Sequence, residues 1–408
     1  MTLTPYATST DGFVRSWVVA NVLLIFSTWR LWFPEKGFLS TGFPSVPMLN
    51  LPPGTSAIDW VMMALLGGGL VTIAAVGYRF SAMACVAIAL CGFFITNQHR
   101  LQPWAYLAMV QAIVWCIAGP IHSLRGLRVI AVSVYAYSAL GKFDYQFLHT
   151  VGQDFVGALF GKAEAITTTR VAIAAMIPVT ELGIAIALCI PSTRRNAGIM
   201  SMIMHASLVG LLGPWWLGHS VGVILWNVWM CIQSWFLFVA RMDDQPSVTQ
   251  ARVNQSRWSS GAIGLVVAFV IAMPLTERSG YWDHWLSWSL YSPHTSRVQV
   301  QIHRSGIDQL PAPAIPYLQN DKDADDDPWS TLAIDQWSLA ALSVPVYPQA
   351  RFQLGVAAVL ARSMRDPQSI RVVMKSVSNR FDGTRDEERL RGRDEIMNAT
   401  KRFFFLSP

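Results

Sequence analysis

The sequence predicts an all-α polytopic membrane bundle of about nine transmembrane helices, followed by a small C-terminal α+β extracytoplasmic domain. Three observations carry that expectation. Of 408 residues, 52% are hydrophobic and only 14% are charged, whereas soluble domains carry about a quarter charged residues. Nine apolar segments reach or approach the ~20 residues that a helix needs to cross a bilayer. After Thr276 the composition turns polar for about 130 residues, enough for a domain with its own core.

The nine segments cover residues 14–33, 58–77, 81–95, 103–119, 127–141, 171–190, 197–212, 218–239 and 260–276. The third and fifth are short for a full crossing. The first lacks the form of a cleaved signal peptide and reads as a retained helix. Placing the N-terminus in the cytoplasm puts Arg79, Arg125, Arg128, Arg194, Arg195, Arg241, Arg252 and Arg257 inside, with Lys36, Arg100, Lys142, Lys162 and Arg170 outside. That bias favours a cytoplasmic N-terminus and, with nine crossings, an extracytoplasmic C-terminus. The bundle is thus expected over residues 1–276 and the outer domain over 277–408.

In the tail, alternating RVQVQIH at 297–303 and IRVVMKS at 370–376 predict strands. Helices are expected over 349–362 and 386–400. The proline-rich and acidic stretch 311–328 reads as a solvated loop, because it lacks the spaced ligands and final glutamate of a calcium-binding loop. Residues 281–293 are rich in tryptophan and are expected to dock the tail on the membrane surface.

The same sequence excludes several functions. All five cysteines, Cys85, Cys91, Cys116, Cys189 and Cys231, lie in apolar segments with no CxxC pair, against a disulfide framework or direct thiol exchange. No zinc motif, phosphate loop or nucleophile elbow occurs, and no metal is expected. The net charge of +6 reflects loop topology; without a basic patch interleaved with aromatics it does not point to nucleic acid.

What remains is a set of polar groups in apolar surroundings. Gln111, Glu181, His205 and Asn227 fall near the middle of four segments, where an ionisable side chain is a candidate site. The bland alternative is that Glu181 stays protonated or pairs with His205, and that the four only bond the bundle together. Pro178 is expected to kink the helix just before Glu181. Lys142 ends the fifth segment at Gly141-Lys142. A lysine there ordinarily snorkels to the water boundary; held instead between a spanning helix and an interfacial one over 143–155, it becomes a candidate base. A polar cluster at the outer boundary comprises Arg30, Asn97, His99, Arg100, Lys142, Asp144, His149 and His219. Trp104, Tyr135, Tyr137, Trp215 and Trp216 are candidates to line an apolar pocket.

The succession NQHRLQPWAY, VYAYSALGKFDYQFL, PVTELGIAIALCIPSTRRNAGI, MHASLVGLLG and HSVGVILWN resembles the membrane half of the vitamin K-dependent gamma-carboxylases and their bacterial relatives, the horizontally transferred transmembrane (HTTM) family, over residues 10–290. The resemblance implies that the bundle binds a reduced quinone of the menaquinone or vitamin K type. It implies Lys142 as the base that initiates oxygenation and His99 as a supporting histidine. From the reading of the residues themselves, Trp104, Tyr135, Tyr137, Glu181, His205 and Asn227 are the expected cofactor-binding residues. The tail is shorter than the substrate-recognition domain of those carboxylases. Gly141-Lys142 and the later Pro178–Glu181 step also resemble the DoxX and MauE group of redox-associated membrane subunits. A third reading is a non-enzymatic scaffold whose outer domain binds a protein partner.

Overall fold

The computed structural model describes residues 5–33, 41–49, 56–240, 257–320 and 327–407. Lys36, Arg241, Arg252 and the acidic run at 321–326, named above, lie outside the described residues.

Each of the nine apolar segments is helical: α1 (Pro5–Ser27), with the short α2 (Trp29–Trp32), α3 (Ser56–Val76), α4 (Phe80–Thr96), α5 (Pro103–His122), α6 (Leu124–Lys142), α9 (Thr168–Cys189), α10 (Arg194–Leu212), α11 (Val221–Ser234) and α12 (Arg257–Ala272). Two short helices, α7 (Tyr145–His149) and α8 (Val151–Phe160), lie between α6 and α9. Among the described residues, five helices are long and apolar enough to cross a membrane: those within α3, α5 and α9, α11 with its continuation to Val239, and α12 with its continuation to Ser279. The shorter α4 has 17 residues, as its short apolar segment predicts. α9 runs as one helix with Pro178 inside it. In α5, Gly119 takes a positive φ of 69° ahead of Pro120, and the helical geometry is interrupted there. Proline restricts the residue before it and withholds an N–H, and glycine tolerates the resulting conformation.

α6 packs against α9, α10 against both α9 and α11, and α12 against α5 and α6. The expected single helix over 143–155 is divided into α7 and α8. Asp144 caps α7 by accepting from the Gln146 backbone N–H at 2.9 Å, and Thr150 breaks from helical geometry. Phe147 and Phe155 from this pair are buried with Leu212 of α10.

In the tail, an antiparallel sheet of order β2-β3-β1-β4-β5 is formed by β1 (Arg297–His303), β2 (Leu318–Asn320), β3 (Trp329–Leu332), β4 (Ile370–Lys375) and β5 (Glu387–Arg391). Val298, Val300 and Ile302 alternate inward, the period of a half-buried strand. Helices α13 (Ile334–Leu342), α14 (Ala350–Ser363) and α15 (Gly392–Thr400) complete it. The helix expected over 386–400 is half correct: residues 387–391 pair with β4 as an edge strand before Gly392, at φ 74°, turns the chain into α15.

The change in composition at residue 276 does not interrupt the core. Phe43 packs on Trp337 of α13, and Trp285 meets Tyr347 edge to face. Within the tryptophan-rich segment, residues 284–289 are buried as an internal seam, with the Trp288 ring fully enclosed and tilted 5.1 Å from that of Tyr106 of α5, whereas Tyr281 at the start of the segment stays exposed.

Candidate functional site

Lys142 does not snorkel. Its side chain folds back one turn along α6, so that Nζ donates to Ser138 Oγ at 2.5 Å and to the Ser138 carbonyl at 3.2 Å. It also donates to Glu181 Oε2 of α9 at 2.6 Å. The residue is 4% exposed and Glu181 8%. A lone charge so placed would be prohibitive, and the pair with its hydroxyl and carbonyl satisfies the ammonium fully. Among the described residues, the hydrogen bond to the Glu181 side chain comes from Lys142 and not from His205, which answers the alternative raised above.

His205 belongs to a neighbouring network. Its Nδ1 meets Asn227 Oδ1 at 2.9 Å and its Nε2 meets the Tyr135 hydroxyl at 3.0 Å. That hydroxyl also contacts Ser234 Oγ at 3.0 Å. Asn227 spends its own amide on the Val223 carbonyl, which fixes its oxygen toward the imidazole. Four helices, α6, α10, α11 and α9, are thereby linked around one space.

That space is a cavity of about 1080 Å³, large enough for a drug-sized or larger ligand. Its polar end carries Ser138, Lys142, Glu181, His205 and Asn227, and Trp104, Trp226 and Trp285 line its walls. Leu159, Phe160, Met176 and Ile203 also line it while being more than half exposed on α8, α9 and α10. The mouth therefore opens through the apolar outer faces of these helices. Leu290 and Tyr291, from the seam after α12, form part of the wall. The Tyr291 hydroxyl is buried with no partner among the described residues. Burial raises its pKa above the ordinary phenol value, so at neutral pH it remains a hydrogen-bond donor.

Several expected residues are elsewhere. His99 is fully buried one layer behind the cavity: Nε2 contacts the Pro345 carbonyl and Ser338 Oγ, each at 3.2 Å, and the ring lies between Phe43 and Phe352. Pro345 lines the cavity; His99 does not. Burial drives the pKa of His99 down to about 4, leaving it neutral. Tyr137 points away, donating to the Ile271 carbonyl of α12 at 2.5 Å. Trp216 lines the cavity, whereas Trp215 bonds the Gly210 carbonyl at 2.8 Å and is 68% exposed. Tyr135 acts through His205. Gln111 joins Trp17 and Gln233 in a separate core network, and Arg100 forms a buried pair with Asp59 at 2.6 Å. Asp144 pairs with Arg278 at 2.5 Å.

Sequence reading missed Ser138, Tyr291 and a second buried cluster, Glu277, His284 and His294, with one potential ligand atom from each within 4.8 Å of the others. The signal for Ser138 was present, since a serine four residues before a helix-end lysine shares its face. The chain matches no family model, no curated protein and no solved structure.

Proposed function

We propose that this chain is a membrane enzyme of carboxylase-like type that binds a reduced quinone in the cavity and takes a proton from it with the Lys142–Glu181 pair. The observation that carries the proposal is this ion pair at the polar end of a large cavity whose mouth opens through apolar helix faces. On this reading all nine long helices cross the bilayer. The loop-charge bias supports a cytoplasmic N-terminus and a tail outside.

The lining suits a lipid-soluble ring compound. The apolar mouth admits a tail from the bilayer, the tryptophans offer flat faces, and Tyr291 holds an unused donor. When bound, a reduced quinone supplies an acidic ring hydroxyl and two reducing electrons. Glu181, accepting a hydrogen bond from Lys142, retains lone pairs with which to take the hydroxyl proton. Lys142, held in place by Ser138 and Glu181, stabilises negative charge on the ring oxygen without having to reorganise. The roles expected from sequence are thereby redistributed: the pair is the base, Glu181 receives the proton, and Lys142 supplies the field. His99 is a positioning residue that holds Pro345 from behind.

A redox-associated subunit without catalysis would hold the same ligand. Oxygen uptake by the purified protein with reduced menaquinone separates the two readings. Uptake that is lost in Glu181→Gln and Lys142→Met, in samples that still bind the quinone, supports catalysis. Binding without uptake in the wild type supports the subunit reading, and absence of binding refutes both.

A further inference from the structure

The segment between α12 and β1 contains two bulky residues in the left-handed region, Trp288 and Tyr291, each at φ 58°. Such conformations cost about 1–3 kcal/mol apiece and persist only where the surroundings hold them. Here the surroundings include one carboxylate. Glu277, at the end of the helical run from α12, receives His284 Nδ1 at 3.0 Å on Oε1 and His294 Nε2 at 3.0 Å on each oxygen. Glu277 is 8% exposed, His284 2% and His294 0%. The two histidines flank the strained stretch, and the stretch itself supplies Trp285, Leu290 and Tyr291 to the cavity wall.

Three side chains able to ligate a metal converge here, each more than nine-tenths buried, and one donor atom from each lies within 4.8 Å of the others. His284 Nδ1 and His294 Nε2 face the same carboxylate from the two ends of the strained stretch, an arrangement in which all three can hold one ion. The spacing is suitable as well. Ligand atoms about 2.0–2.2 Å from one ion lie roughly 3.0–3.5 Å from each other, close to the 3.0 Å contacts at Glu277. Two histidines and one carboxylate form a ligand set typical of zinc and ferrous sites that keep a position open.

We propose that Glu277, His284 and His294 bind one zinc-class divalent cation, which pins both ends of the cavity-wall segment to the end of α12. The ion is distinct from any ligand of the cavity and does not depend on the proposed quinone chemistry. The ligands sit after a helix end, with six and then nine residues between them. Only the fold brings them together.

The test uses the full chain, purified in detergent without a histidine tag and stripped with a chelator. Zinc chloride is then added, and metal content and melting temperature are measured. We expect one tightly held zinc per chain and a rise in melting temperature of about 5 °C or more. Glu277→Gln and His284→Gln should lose both effects, and His303→Gln, on β1, should keep them. Cobalt substitution of the wild type gives a second readout that needs no variant: visible d–d absorption, displaced by one equivalent of zinc. No stoichiometric zinc or no cobalt spectrum in the wild type overturns the proposal, as does retention of zinc by both ligand variants.

Discussion

Lys142 and Glu181, 39 residues apart in sequence, meet at 2.6 Å because the lysine turns back along its own helix to reach a carboxylate in the interior of α9. The pair sets the polar end of the cavity, and its energetics distinguish it from a surface bridge. Removing one member of a buried pair leaves the other charge uncompensated, at a cost of about 3–5 kcal/mol, whereas replacing both with apolar side chains is often nearly neutral. Lys142→Met and Glu181→Leu should therefore each destabilise strongly, and the double variant should be more stable than either. Denaturation of all four proteins in one detergent measures the coupling; additive losses would show that the two groups do not sense each other.

Gly141 should resist substitution. A Cβ there would lie 2.7 Å from Ser292 Oγ and 3.3 Å from Ser289 Oγ, and overpacking of this kind costs about 1–3 kcal/mol. Gly141→Val should lower the melting temperature. Gly67→Val, where a Cβ would meet nothing within 4 Å, should change it little.

His99 makes stability depend on pH. Its pKa is about 4 in the folded chain against the ordinary 6.5. Between those values the unfolded chain binds more protons, so this contribution to stability is present above pH 6.5 and is lost as pH falls toward 4. His99→Gln keeps a donor for the Pro345 carbonyl but cannot titrate. Its melting temperature should fall less than that of the wild type between pH 7 and pH 5, and parallel curves would contradict the assignment.

Much of this arrangement was readable in the sequence, and the reason is local. A glutamate, histidine or asparagine inside an apolar helix is conspicuous because lipid offers it no partner, so Glu181, His205 and Asn227 identified themselves, as did Lys142 beyond its glycine. Strand β1 was equally plain from its alternation. Partner choice was not legible, because it depends on how helices rotate against one another: Glu181 met Lys142 instead of His205, and Tyr137 turned to α12. His99 looked like a site residue because its loop is polar, yet that polarity serves contacts with α13 and Pro345. The Glu277 cluster escaped notice because its members follow neither helical nor metal-motif spacing. Residues 387–391 defeated pattern reading because an edge strand with only Leu390 buried has little alternation to show.

Filling the cavity should separate occupancy from folding. Met204 and Leu208, one turn apart on α10, both line it. Met204→Trp combined with Leu208→Trp should weaken quinone binding by more than about tenfold while leaving the melting temperature near that of the wild type. Unchanged affinity in the doubly filled protein would place the ligand elsewhere.

The central claim is that the cavity holds a reduced quinone against the Lys142–Glu181 pair. Equilibrium binding of reduced menaquinone to the purified chain, quantified by extraction of bound quinone, tests it most directly when the wild type is compared with Glu181→Gln and the filled variant. Saturable binding near one quinone per chain is predicted, weakened in Glu181→Gln and nearly abolished by filling. Absence of saturable binding in the wild type, or equal binding by all three proteins, would contradict it.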